Sequence, residues 1–171
     1  MRIRTDSAFE KLVRAYSADV YRFAYWLSRD ASVAEDVVQE TFSRVWKAWH
    51  QLKDENAVKA WLLTIARNEF NRLFQRKRVD ASEDIDDHLE LAASYRDPAD
   101  TLAMREALAA LPLSYKEPLL MQVLGGMSCG EIAAAMELSE GAVMTRLTRA
   151  RQALRKLWES DTGQVKSYEL P

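Results

Sequence analysis

Apolar residues recur along this chain at steps of three and four, and no stretch alternates as a half-buried strand would, so the pattern is that of successive amphipathic helices. Phe9, Leu12, Val13, Tyr16, Val20, Phe23, Ala24 and Leu27 make the first stripe. Ser7 and Glu10 stand at capping-box spacing, which predicts a helix from Ser7 to about Arg29. Ser32 and Glu35 repeat the device. A second helix should follow with Val38, Phe42, Val45 and Trp49 inward and Asp36, Gln39, Glu40, Ser43, Arg44 and Lys47 outward. After a polar break from Gln51 to Asn56, a third helix is expected from Ala57 to about Arg78, its core side carrying Val58, Leu62, Ala66, Phe70 and Leu73. Beside that stripe runs another: Trp61, Thr64, Asn68, Arg72 and Gln75, an aromatic followed by hydrogen-bonding groups. Core packing alone does not require it.

From Val79 to Asp97 the character changes. Asp80, Glu83, Asp84, Asp86, Asp87, Glu90 and Asp97 are set against the single Arg96, a density of like charge that predicts a flexible linker. Asp97 before Pro98 suits an N-cap and first helical position, so a second domain should begin there, with Leu102, Met104, Leu108 and Leu111 as its first stripe. Leu111 and Pro112 stop that helix. Ser114 and Glu117 would cap the next, which carries Leu119, Leu120, Val123 and Leu124, tolerates Pro118 near its start and ends at Gly125 and Gly126. Ser128 and Glu131 form a further capping box before Ile132, Ala133 and Met136. Ser139 then opens a longer helix with Val143, Leu147, Ala150, Leu154 and Leu157 on one face. Its other face carries Thr145, Arg146, Thr148, Arg149, Gln152, Arg155 and Lys156, and no acidic residue lies between Val143 and Trp158. A short helix, a tight turn and a longer basic helix make a helix-turn-helix, whose second helix fits the major groove. A merely solvated face would mix the two signs of charge. The tail from Ser160 to Pro171 is polar and expected to fray.

With 171 residues, 48% of them hydrophobic, and only five glycines and four prolines, the chain should fold as an all-α protein of two small helical domains. The expected divisions are 1–79, a linker over 80–97, and 98–171. A net charge of -2 excludes a uniformly basic coat, yet charge is segregated. Arg67, Arg72, Arg76, Lys77 and Arg78 share their helix segment with Glu69 alone, and the second basic face lies across the acidic linker. Two separate phosphate contacts joined by a tether follow from that arrangement. Cys129 has no partner for a disulfide, and His50 and His88 offer no metal cluster, so neither cofactor nor metal is expected. With no signal core and no apolar run of membrane length, a cytoplasmic location without membrane insertion is expected. An enzyme would have to use Asp36, Glu40 and His50, with no nucleophile or phosphate loop beside them, so binding rather than catalysis is expected, with no small-molecule substrate. The alternative within DNA binding is a one-component regulator whose first half senses or dimerises while the helix-turn-helix holds an operator.

Three blocks in order narrow this further: AEDVVQETFSRVW (Ala34 to Trp46), AWLLTIARNEFNRLFQRKR (Ala60 to Arg78) and LSEGAVMTRLTRAR (Leu138 to Arg151). They resemble regions 2.2, 2.3 to 2.4 and 4.2 of the bacterial sigma factors of the extracytoplasmic-function group (group IV of the sigma-70 family), over nearly the whole chain. That resemblance implies a region 2 helical bundle, a region 4 helix-turn-helix, and promoter-specific initiation with core RNA polymerase, through the clamp of its largest subunit and the flap of the second largest. It also implies an anti-sigma factor as partner. Asp36, Gln39 and Glu40 match the family's polymerase-binding face. Trp61, Arg67, Asn68 and Arg72, with the basic Arg76, Lys77 and Arg78, match the helix that meets the minus-10 element, and Ser139, Gly141, Thr145, Arg146 and Arg149 the turn and helix that read the minus-35 element. The linker would run through an electropositive path in the polymerase. Three positions depart from the pattern: Arg72 stands where many members have Asp, Met144 where a basic residue is usual, and Glu137 where the turn commonly has Gly, a place where left-handed backbone would be strained.

Overall fold

In the computed structural model, which describes residues 2–49, 52, 54–80 and 98–165, all regular structure among the described residues is helical. The acidic stretch 81–97 and His50 lie outside the described residues. Helix α1 (Arg2–Ser28) and α2 (Ala31–Lys47) pack with α3 (Val58–Asp80), which follows a single 3₁₀ turn, Glu55–Ala57. Helices α4 (Pro98–Ala110), α5 (Leu113–Gly125), α6 (Cys129–Met136) and α7 (Glu140–Val165) form the second group.

Helix α1 starts at Arg2, a turn before the expected cap, because nothing between Arg2 and Ser7 breaks a helix. Its end is sharp. Arg29 turns left-handed at φ 57°, its amide donating to the Tyr25 carbonyl at 2.7 Å. The reversal leaves Asp30 extended, and its carboxylate accepts from the Val33 amide at 3.0 Å. Asp30, rather than Ser32, therefore caps α2. The first group closes over Phe23, Val37, Val45, Leu62, Ala66 and Phe70, all nearly or fully inaccessible. The valine, leucine and phenylalanine side chains among these each contribute about 1.5 to 3 kcal/mol by leaving water. Val37 and Thr41 take inward places in α2, while Val38 is only half-buried.

In the second group Pro112, not Ser114, precedes α5 and supplies no side-chain cap. Glu117 is free of the expected capping role and is buried for another reason, described below. Gly126 closes α5 at φ 62°, the left-handed place that suits glycine. Leu102 and Met104 of α4 are exposed, and so is Val123 of α5, while the expected Leu111, Leu119 and Leu120 are buried and Ala107 and Met121 join them. The helix-turn-helix forms as the spacing predicts. Ser128 and Glu131 make both capping-box bonds, Ile132, Ala133 and Met136 are buried beneath α6, and the Ser139 hydroxyl accepts from the Ala142 amide at 3.2 Å. Val143, Leu147 and Ala150 are buried and Leu154 half-buried, while Leu157 is exposed beyond the partner helices.

Between α6 and α7 the cap residue Glu137 takes φ 56°, ψ 45°. A side chain in that left-handed conformation costs roughly 1 to 2 kcal/mol, part of which glycine would return to the unfolded chain as entropy. Glu137→Gly should therefore stabilise the protein by about 1 kcal/mol, raising the thermal midpoint by roughly 2 to 4 °C. A lower midpoint in calorimetry would show that the carboxylate makes a stabilising contact that outweighs the strain.

The two groups are not independent. Helix α5 lies against α1 and α3, and the buried apolar residues of both groups join in one cluster. Leu63, buried on a face of α3 outside the expected stripe, reaches Gly125, where an added Cβ would stand 2.8 Å from the Leu63 Cδ1.

Candidate nucleic-acid interface

Helix α2 presents Asp36, Gln39 and Glu40 together on its exposed side, one turn long, because Val33, Ala34, Val37 and Thr41 take the core side. Next to Gln39 opens a cleft of about 840 Å³ lined by Tyr21, Tyr25, Trp26, Glu35 and Val38, with Arg105 of α4 at its wall. Tyr21 and Tyr25 stack with ring centres 6.2 Å apart.

On the other side of α2 a second cleft, of about 410 Å³, lies against α3. Arg44, Lys47 and Ala48 contribute from α2 and Trp61, Ile65, Asn68 and Glu69 from α3. Trp61 is half-buried against the core, and Asn68, two turns along, is exposed. The cleft thus offers an aromatic ring, an amide that donates and accepts, and two cations within one concavity. Those groups suit an unstacked base with its phosphates.

Glu69 was not foreseen as a site residue. It is buried to 3% exposure, with one carboxylate oxygen facing the Arg44 Nε and the other the Arg72 guanidinium at 2.5 Å. The sequence carried one signal for it, a lone carboxylate in an otherwise basic segment. Arg72 also reaches Glu40 at 3.3 Å. A basic residue at the departing position thus ties α3 to α2 through Glu40 and braces Glu69 within α3, while Glu69 holds Arg44 of α2 at the rim of the cleft. Arg76 is exposed, and the side chains of Lys77 and Arg78 lie outside the described ones.

Arg67 does not join the cleft. Its guanidinium turns toward the second group of helices, to the Glu117 carboxylate at 3.3 Å and the Ala135 carbonyl at 3.3 Å, with a further 3.4 Å contact to the Asn68 side-chain oxygen. Arg67 is therefore turned away from Trp61 and Arg76, with which the sequence grouped it, and keeps only its contact to Asn68.

On α7, Gly141, Thr145, Thr148 and Arg149 are exposed along one face, with Ser139 at the turn and Arg146 half-buried beside them. The Thr145 and Thr148 hydroxyls donate to the carbonyls of Gly141 and Met144 at 2.9 Å each, which fixes their rotamers. Met144 is exposed in the same face. Arg151 is committed to Gln122 of α5. Among the described residues no His, Cys, Asp and Glu come together as a metal-ligand group, and no helix is long and apolar enough to cross a membrane.

Comparison with known proteins accounts for both groups of helices. Residues 12–79 match the family model described as Sigma-70 region 2, and residues 101–154 match Sigma-70, region 4. The chain is similar to the ECF RNA polymerase sigma factor SigM of Bacillus subtilis, 33% identical over 155 residues that cover 87% of this chain and 94% of SigM. It is also similar to the ECF RNA polymerase sigma factor SigL of Mycobacterium tuberculosis, 34% identical over 146 residues, 82% of each chain. Among solved structures it resembles the sigma factor RpoE crystallised with the anti-sigma factor NepR from Bartonella quintana. The TM-score is 0.76 at 26% identity, over 89% of this chain and 97% of that one.

Proposed function

The chain belongs to the ECF RNA polymerase sigma factors, and from that membership we propose how its surfaces divide the work of starting transcription. It binds core RNA polymerase and directs initiation at particular promoters, acting by association in the cytoplasm rather than by catalysis. Residues 1–79 serve as region 2, 80–97 as the acidic connection and 98–171 as region 4. Asp36, Gln39 and Glu40 dock on the polymerase clamp. Their exposure on a helix whose other side is committed to the core supports that role, since Asp36 and Gln39 face solvent and Glu40 is held only by an exposed pair with Arg72 that a basic partner can displace. Region 4 in turn meets the flap of the second largest subunit. RpoE was solved with an anti-sigma factor bound, and a partner of that kind fits this chain as well.

The observation that carries the minus-10 assignment is the cleft in which Trp61 and Asn68 meet Arg44 and Lys47. A base leaving the duplex loses its stacking, and an aromatic wall returns about 1 to 3 kcal/mol per base. Trp61 provides the wall and Asn68 the hydrogen bonds, while Arg44, Lys47 and Arg76 hold phosphates. Arg72 acts from behind by fixing Glu69 and Glu40. Arg67 serves the same strand once it is uncovered. For the minus-35 element, Thr145 and Arg149 sit one turn apart and read base edges, Arg146 and Arg155 anchor phosphates, and Ser139 and Gly141 bring the turn close to the backbone.

Selection from a random promoter library by the reconstituted holoenzyme tests this division. The wild-type protein should enrich two sequence blocks. Arg149→Ala should flatten preference at one or two positions of the upstream block by about 1 to 3 kcal/mol and leave the downstream block intact. Equal weakening on every sequence would move Arg149 to the phosphates, and enrichment of a single symmetric site without polymerase would favour an operator-binding regulator.

A further inference from the structure

We propose that the free protein inhibits itself through a clasp in which Glu117 of region 4 occupies, on Arg67 of region 2, the place that a promoter phosphate takes. Arg67 reaches both Glu117 and the Ala135 carbonyl, and its side chain is 17% exposed, that of Glu117 6%. A carboxylate and a carbonyl set around one guanidinium present the same kind of acceptor oxygens as a nucleic-acid backbone. DNA approaching Arg67 would need the space that α5 and α6 fill. Region 4's own reading face, by contrast, is open: Gly141, Thr145 and Arg149 are exposed. The other working surface of region 2 is also bordered by region 4, since Arg105 stands in the wall of the cleft beside Gln39.

The clasp is sealed but poorly satisfied, as suits a contact made to come apart. Leu63 against Gly125 supplies an apolar seal. Within the pair, however, the Arg67 Nε and the Glu117 Oε1 are buried without a hydrogen-bond partner. Lys116, the neighbour of Glu117, is buried, and burial first and the Arg29 guanidinium second hold its pKa below the usual lysine value. Buried ion pairs recover little more than they lose in desolvation, so polymerase or single-stranded DNA can compete with this one. A fraction of chain held closed lowers apparent affinity for DNA by that fraction, and opening removes the loss.

Small-angle scattering of the full chain, with binding of a single-stranded minus-10 oligonucleotide to the free protein, tests the clasp. Glu117→Arg repels Arg67, and Gly125→Leu wedges against Leu63 without changing charge. Both should expand the protein at unchanged helical content and tighten oligonucleotide binding about tenfold. Arg67→Glu combined with Glu117→Arg restores the pair in reverse and should return the compact shape, which separates an opened clasp from a damaged fold. Wild-type protein already extended in solution, or expanded variants that bind no better, would overturn the proposal. Because the clasp matters only if Arg67 serves promoter DNA, Arg67→Ala is measured in the assembled holoenzyme, the state in which the clasp must have opened for Arg67 to reach DNA. Unchanged promoter melting there would refute the DNA role of Arg67 and with it the phosphate mimicry, whereas reduced melting beside an unaltered scattering profile in Glu117→Arg and Gly125→Leu would refute the clasp alone.

Discussion

Replacing Asp36 and Glu40 together with arginine is expected to lower affinity for core polymerase by about a hundredfold or more, corresponding to roughly 3 kcal/mol. Complementary charges across an interface set its register and partner, and like charges placed opposite one another cost several kcal/mol. Both residues are exposed, so the fold should hardly feel the change. The ion pair at stake among the described residues is Glu40 with Arg72 at 3.3 Å, between side chains 49% and 36% exposed. Exposed pairs of that kind are worth about 0 to 1 kcal/mol, and Arg72 keeps Glu69. Titration of labelled protein with core enzyme, alongside a denaturation midpoint, therefore reads binding apart from stability. Unchanged affinity would remove this face of α2 from the polymerase interface.

The second large effect should fall on strand opening. Trp61→Ala and Asn68→Ala are each expected to slow formation of the open complex by about 5- to 150-fold, the equivalent of one lost base contact of about 1 to 3 kcal/mol. Closed-complex affinity should stay within about twofold, because the duplex has not yet offered a base to the cleft. Fluorescence of a base analogue in the minus-10 element follows opening directly. Trp61 also packs against the core, so its loss removes some stability as well. Asn68 is exposed and its truncation leaves the packing intact, which makes it the cleaner of the two. If both substitutions reduced closed-complex binding and opening alike, the cleft would be no base site.

Helix order and the helix-turn-helix were legible because they rest on local chemistry. Ser128 and Glu131 satisfy each other's neighbouring amides over three residues, and Ile132, Ala133 and Met136 need only the helical period to find the core. The same local reasoning misplaced three caps. Ser7 lost to a helix that nothing interrupted upstream, Ser32 to Asp30 once Arg29 had turned left-handed, and Ser114 to the start that Pro112 imposed. Capping boxes written at Glu10, Glu35 and Glu117 were spacing without geometry. Leu102, Met104 and Val123 obeyed the period yet stayed exposed, since a stripe shows that a helix has an apolar side without showing how much of it a neighbour covers.

Long-range partnership was the part the chain could not reveal. Glu69 is buried because Arg44 on another helix meets it, and Glu117 because Arg67, 50 residues away in sequence, does. Neither pairing leaves a trace in periodicity. Arg67, Asn68 and Arg72 stand close together on one helix and read as one surface, yet they point to three environments: the region 4 contact, solvent at the cleft, and the carboxylates of α2 and α3. The cleft itself was half visible, in Trp61 and Asn68. Its other wall, Arg44 and Lys47, appeared in the sequence only as the outer face of a different helix.

Transcription by core polymerase, with and without the purified protein, on a promoter drawn from the selection experiment tests the central claim most directly when start sites and permanganate-reactive thymines are mapped together. A discrete start, unpaired thymines confined to the downstream block, and loss of both when Asp36 and Glu40 are reversed are the predicted result. Duplex binding by the protein alone, with no discrete start and no reactive thymines when polymerase is added, would contradict it.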